Sequence, residues 1–286
     1  MDDSNELYIK QFNLSQLCSN PAIVVIAKRG SGKTWVCRSL LNYLKSIPVG
    51  VIISKSEKTD PFFQDFFPDS FIYGGYDTII FKKIISRQMR IREKAKRKRE
   101  QGKKIDTRIF LLMDDCLSDS KTWGKDENLK EILYNGRHYD ITYILTMQYP
   151  MGIPPDLRAN FDYIFLLYID NTDEQTKIYK YYTGMFPSLS AFKQVFLRLT
   201  DSYGVMVVVK RGAGRLLNEK VYHYKASNVK PNMLGCNQMK KYHDINYNKD
   251  WMRQTVQNEF DPSTWLNKKN NFSVKKLDAQ GKQKFD

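Results

Sequence analysis

The stretch Ala22-Ile23-Val24-Val25-Ile26-Ala27-Lys28-Arg29-Gly30-Ser31-Gly32-Lys33-Thr34 decides the reading of this chain. Ala22 to Ala27 reads as a short apolar strand, and a helical pattern follows over about Lys33 to Lys45. A glycine-rich turn that leaves a strand and opens a helix with Gly-Lys-Thr is the setting of a phosphate-binding loop. Successive backbone N–H groups and the helix N-terminus make an anion site there. Gly30 and Gly32 keep Cβ atoms out of the way of that approach. Lys28, Arg29, Gly30, Ser31, Gly32, Lys33 and Thr34 are therefore the expected contacts to ATP. Lys33 would reach the β- and γ-phosphates, and the Thr34 hydroxyl would bind Mg2+. Ala27 stands where a glycine usually opens such a loop. The plainer alternative is a glycine-rich turn that binds no nucleotide.

Outward from this loop, further apolar runs alternate with helical segments. Val49 to Ser54, Phe71 to Tyr73, Arg108 to Met113, Ile141 to Met147 and Phe161 to Ile169 read as strands. Thr78 to about Glu100, Asp173 to Tyr182 and Ser188 to Leu199 read as helices. Near-continuous apolar strands separated by helices predict an α/β fold, with a mainly parallel sheet covered on both faces. Tyr203 to Lys210 and Leu217 to Tyr224 read as a C-terminal β-hairpin around Arg211-Gly212-Ala213-Gly214, closing the sheet edge. The expected organisation is an ATPase domain over residues 1–225, with a basic helical insertion at about 78–104. A basic, partly mobile extension over 226–286 follows, with Trp251, Phe260 and Trp265 as its candidate anchors.

Two strand ends carry carboxylates or an amide. The run from Ile109 to Met113 ends in Asp114-Asp115, and the run from Ile141 to Met147 ends at Gln148. Asp114 suits the Mg2+ of a bound nucleotide, and Asp115 suits the base or polariser of an attacking water. Gln148 would sense the γ-phosphate or orient that water. The alternatives are a helix cap or turn, since Ser118 and Asp119 follow, and an ordinary polar strand end.

The composition narrows the classes. Hydrophobic residues make up 42% of the 286 residues, enough for a packed core and too many for global disorder. The longest apolar runs, such as Tyr163 to Ile169, fall far short of the roughly 20 residues of a bilayer span. The opening MDDSNELYIK has no continuous apolar stretch of the kind a secretory signal uses. Cys18, Cys37, Cys116 and Cys236 lie far apart, and His138, His223 and His243 lack metal-ligand spacing. That pattern argues against a disulfide scaffold and against a His/Cys metal cage.

Taken in order, KRGSGKT, LLMDDC, NGRHYDITYILTMQYP and GIPPDLRANFDYIF resemble the genome-packaging ATPases of nucleocytoplasmic large DNA viruses. These are the poxvirus-type members of the FtsK–HerA superfamily. The resemblance covers roughly Ala22 to Ile169 and loosens toward Tyr224. It implies a RecA-like P-loop NTPase fold with a strand added between the Walker motifs' β-α units. It also implies ATP-driven translocation of double-stranded DNA into the capsid by a homo-oligomeric ring, a pentamer or hexamer. Lys33 and Thr34 match the family's Walker A pair, Asp114 and Asp115 its acidic pair, and Gln148 its polar sensor. The superfamily often has Asp-Glu where this chain has Asp114-Asp115. A ring motor needs an arginine that reaches a neighbour's γ-phosphate. Arg137 is the first candidate and Arg158 the second, with a surface or helix-capping arginine as the alternative. Capsid or portal-vertex proteins and a recruited nuclease complete the implied partners, and the host cytoplasm (the viral factory) and the virion are the implied locations.

The formal net charge is +15, from 46 basic and 31 acidic residues. Twelve Lys/Arg against two Glu fall between Lys82 and Lys104. Such a cluster binds phosphate backbones without reading sequence. A solvated helix face and a localisation signal at Lys94 to Arg99 are its other readings. The lysines after Trp265 offer the same chemistry to DNA or to an acidic capsid protein. Two other functions remain open at this level: a nucleotide or small-molecule kinase, and a non-motor P-loop protein that docks on DNA.

Overall fold

The computed structural model of the chain describes residues 6–116, 123–229 and 231–248. Ser118, Asp119 and the proposed anchors Trp251, Phe260 and Trp265 lie outside the described residues. Eight strands form one sheet: β1 (Ala22–Ile26), β2 (Val49–Ser54), β3 (Ile72–Tyr73), β4 (Ile109–Asp114), β5 (Ile141–Met147), β6 (Tyr163–Leu166), β7 (Val205–Val209) and β8 (Val221–Tyr224). Their order is β3-β2-β4-β5-β1-β6-β7-β8. The pairs from β3 through β6 are parallel, and β6-β7 and β7-β8 are antiparallel.

The two faces of the sheet explain the sequence pattern. Along β1, Val24 and Ile26 enter one core while Ile23 and Val25 enter the other. Both sets are fully buried, so the strand has no polar side and reads as an unbroken apolar run. The first core takes in residues of α2 (Thr78–Glu100), α3 (Glu127–Asn135), α4 (Pro155–Arg158), α5 (Thr172–Tyr182) and α6 (Leu189–Leu199). The second takes in α1 (Lys33–Tyr43) and the N-terminal segment through Phe12. A one-turn helix, α7 (Leu217–Lys220), precedes β8, and α8 (Asn237–Asn246) follows it. This is the expected mainly parallel α/β sheet with an antiparallel hairpin at one edge.

Several boundaries differ from the sequence reading; β6 is Tyr163–Leu166 and β7 is Val205–Val209. Residues 161–162 stand outside β6, where Asp162 instead accepts the Ala22 N–H at 2.9 Å. The second half of the hairpin opens as helix α7, because Glu219 folds back to accept the N–H groups of Arg215 and Leu216. The stretch after Ala226, read as weakly periodic, contains α8. It is tied down by Leu234 N–H to Phe66 O and Cys236 N–H to Pro48 O, both at 2.8 Å, with Met239 buried.

Helix α2 begins at Asp77, whose side chain accepts the Ile79 N–H. Its buried positions are Ile80, Phe81, Ile84 and Gln88, all in the first half. Gln88 fixes the crossing by donating to the Thr107 carbonyl at 2.9 Å and the Tyr139 carbonyl at 2.5 Å. From residue 89 to 100 no side chain is buried, so the basic half of the helix carries charge into solvent.

Candidate active site

The strand order puts β5 between β1 and β4, so the Asp114-Asp115 strand is not a direct neighbour of the phosphate-loop strand. The C-terminal ends of β1, β4 and β5 nevertheless converge, because all three run parallel. A cleft of about 810 Å³ opens there, lined by the loop residues with Asp114, Asp115 and Gln148. Its size suits a nucleotide.

The loop is held open by its own backbone. Gly30 and Gly32 have φ of +79° and +98°, a region that L side chains rarely enter. The Ser31 hydroxyl donates to the Lys28 carbonyl at 2.7 Å, closing the turn. Gly32 caps α1, and its carbonyl accepts the Val36 N–H at 3.2 Å. Lys28 itself turns aside to Asp170, at 2.5 Å, and to Glu174, at 3.8 Å.

Lys33 extends across the cleft to Asp114 Oδ1 at 3.2 Å. Burial by itself would lower the Lys33 pKa, but the nearby Asp114 and Asp115 more than offset it, and the ammonium sits above the ordinary lysine range. Lys33 is thus a fixed cation at neutral pH. The Asp114 carboxylate is also held from its sides. Thr146 donates to Oδ1 at 2.5 Å, and Ser54, its register partner on β2, donates to Oδ2 at 3.4 Å.

Asp115 lies just past the end of β4 at φ +52°, the left-handed region that aspartate tolerates better than most residues. Its N–H donates to the Thr146 hydroxyl at 3.2 Å, and its Oδ2 accepts from Gln148 Nε2 at 2.6 Å. The C-terminal end of β5 therefore orients both carboxylates, Asp114 through Thr146 within the strand and Asp115 through Gln148 just after it. The sequence reading passed over Thr146 and Ser54. Their signal was a hydroxyl near the C-terminal end of a mostly apolar strand, two residues before the amide in one case and at the strand end in the other.

Arg137 does not join this cluster. It sits in the turn Gly136–Tyr139 that leads into β5, where it pairs with Asp162, the residue just before β6. That is the edge of the sheet where the parallel strands begin, across the sheet from the chain's own phosphate loop. Arg158 is 6% exposed, with its guanidinium 4.7 Å from the Tyr181 ring centre.

Residues 9–198 match the family described as Poxvirus A32 protein. The chain belongs to that family. A protein of Acanthamoeba polyphaga mimivirus is 42% identical over 259 residues, 89% of this chain and 91% of its own length. A protein of Invertebrate iridescent virus 6 is 30% identical over 268 residues, 88% of this chain and 100% of its own. In fold, this A32-family chain is similar to the genome packaging NTPase B204 from Sulfolobus turreted icosahedral virus 2. The sulfate complex of that NTPase gives a TM-score of 0.51 at 16% identity, covering 75% of this chain and 100% of that one. Family, fold and the loop together make this A32-family chain a nucleotide-binding P-loop ATPase.

Proposed function

We propose that the protein drives double-stranded DNA into a viral capsid, hydrolysing ATP in a homo-oligomeric ring with Mg2+ at each site. The observation that carries this reading is the split between the two carboxylates. Asp114 pairs with the lysine of the phosphate loop, and Asp115 is bonded to Gln148. That division suits hydrolysis, in which one carboxylate serves the nucleotide's charge and the other serves a water. A kinase would need an acceptor pocket in place of the water.

In this reading Lys33 exchanges Asp114 for the β- and γ-phosphates when nucleotide enters. Thr34 and Asp114 line the same cleft and form a hard-oxygen pair that fits Mg2+, an ion that keeps several of its waters. The ion would neutralise charge building on the phosphate oxygens. Asp115 takes the proton of the attacking water or polarises it, and the Gln148 amide keeps that carboxylate aimed. Arg137, remote from its own loop, would serve only a neighbouring copy's site, as a ring arrangement requires.

Relatives in two large DNA viruses and the genome-packaging role of B204 support genome packaging as the process. A second cleft, of about 1210 Å³, supports DNA as the partner. It lies between the basic half of α2 and the start of β4, lined by Lys96, Arg99, Lys103 and Lys104, with Arg92 and Arg108 there paired to Asp140 and Asp106. Capsid or portal-vertex contacts, a recruited nuclease and action at the viral factory in the host cytoplasm belong to the same proposal. The test is ATP hydrolysis by the purified protein with and without linear double-stranded DNA, beside Lys33→Ala and Asp115→Asn. DNA-stimulated turnover that both substitutions abolish supports the motor. Turnover indifferent to DNA would favour a kinase-like or partner-activated enzyme.

A further inference from the structure

The nucleotide cleft continues past Thr34 to a rim that phosphates do not need. Trp35, Tyr203, Lys225 and Ala226 line this part. Tyr203 is 70% exposed and Trp35 is 47% exposed, an unusual outlay of aromatic surface beside a polar loop. We propose that Tyr203, together with Trp35, grips the base of the bound nucleotide by stacking. The proposal rests on the reading of Lys28 to Thr34 as the triphosphate site.

The backbone around Tyr203 is built to present the ring. Ser202 and Tyr203 both adopt left-handed conformations, at φ 50° and 62°, which L residues disfavour. Consecutive residues of this kind persist only where the surroundings fix them, and they gather at ligand clamps. Gly204 supplies that constraint. Its N–H donates to the Asp201 carbonyl at 2.8 Å, and a Cβ at this position would come within 2.2 Å of the Leu199 carbonyl oxygen. The next residue, Val205, starts β7 and is fully buried, so the turn is anchored on both sides.

The ring leans over the loop, with Tyr203 Cδ1 only 3.5 Å from where a Cβ on Gly32 would sit. It lies directly against the turn that would hold the phosphates while most of its surface stays in water. A purely structural tyrosine would gain more by turning inward. Trp35 is steadied differently, by the Arg38 guanidinium 3.8 Å above its ring, and Arg38 in turn donates to Asn228 at 3.3 Å. One aromatic comes from the helix after the loop and the other from the turn before β7, so the base would be held from two elements. Stacking uses the π-face that every base offers, so this grip favours nucleotides over bare phosphates without choosing between adenine and guanine.

The full-length protein would be titrated calorimetrically with ATP, GTP and inorganic tripolyphosphate, beside Tyr203→Ala, Tyr203→Leu and Tyr203→Phe. Tyr203→Ala should weaken ATP and GTP about tenfold each and leave tripolyphosphate within about twofold. Tyr203→Leu keeps apolar bulk for folding and should lose most of the same nucleotide affinity, whereas Tyr203→Phe should retain it. Equal weakening of ATP and tripolyphosphate in Tyr203→Ala would overturn the proposal, since the ring would then be shaping the loop. Unchanged ATP affinity in both Ala and Leu variants would overturn it as well. Failure of the underlying loop reading looks different: Lys33→Ala would leave tripolyphosphate binding intact.

Discussion

Gln148 donates its side-chain amide to Asp115 Oδ2 at 2.6 Å, across the gap between the ends of two parallel strands. This bond fixes which carboxylate oxygen remains for another partner. Asp115→Asn keeps the shape and removes the base, so it should retain ATP binding while turnover falls by about 10² to 10⁴. Phosphate release and calorimetric ATP affinity, measured on the same preparation, separate the two effects. Turnover within about tenfold of the parent protein would remove Asp115 from the chemistry.

Thr146 holds the other half of the arrangement, donating to Asp114 and accepting from the Asp115 N–H. It is completely buried, so no water can replace the hydroxyl without rearrangement. Thr146→Val conserves volume but leaves a buried acceptor and a backbone donor short of a partner. The expected loss is about 1–3 kcal/mol of stability, read as a lower urea midpoint at unchanged slope. Thr146→Ser should recover most of it. A midpoint unmoved in the valine variant would show that the two bonds contribute nothing net.

The sheet and the loop were legible because their cause is local. Strands buried on both faces are mostly apolar, and β2 and β5 fall where that pattern places them. Helix α3 was missed, although Leu129, Ile132 and Leu133 have helical spacing, because so short a run carries little periodic signal. Helix α8 buries only Met239, so its period could not be seen. Within the site, Lys33, Asp114, Asp115 and Gln148 announced themselves as polar residues at strand or loop ends. Tyr203 did not, since its meaning comes from packing over Gly32, 171 positions earlier in the chain.

Asp126 caps α3 by accepting the N–H groups of Asn128 at 2.7 Å and Leu129 at 3.3 Å, and it also accepts the Tyr76 hydroxyl. Burial works to raise its pKa, but hydrogen bonds from Thr78, Tyr76 and the backbone outweigh burial and hold it below 3.8. A depressed carboxyl pKa stabilises the fold above the unfolded value, and that stabilisation disappears as pH falls through the folded value. Asp126→Ala should therefore cost about 1 kcal/mol at neutral pH. The gap from the parent protein should narrow as the pH is taken below the ordinary aspartate value of 3.8. Urea denaturation on both sides of that value checks it, and a gap that widens in acid would contradict the assignment.

The basic half of α2 should govern the salt dependence of DNA binding. Lys96, Arg97, Lys98 and Arg99 lie on the part of the helix with no buried side chain, so replacing them with glutamine should leave the melting temperature in place. Any loss of affinity then reports lost phosphate contacts. Each contact adds about 0.9 to the slope of log K against log salt. Arg97 already pairs with Glu93, and Lys98 donates to Gln101 at 3.0 Å, so neither is free of competing partners. A fall in slope of about two to three is expected for the fourfold variant, measured by fluorescence anisotropy on linear duplex over a salt series. If affinity and slope both stay put, the run faces away from DNA, and the charge that grips the duplex must lie elsewhere on the chain.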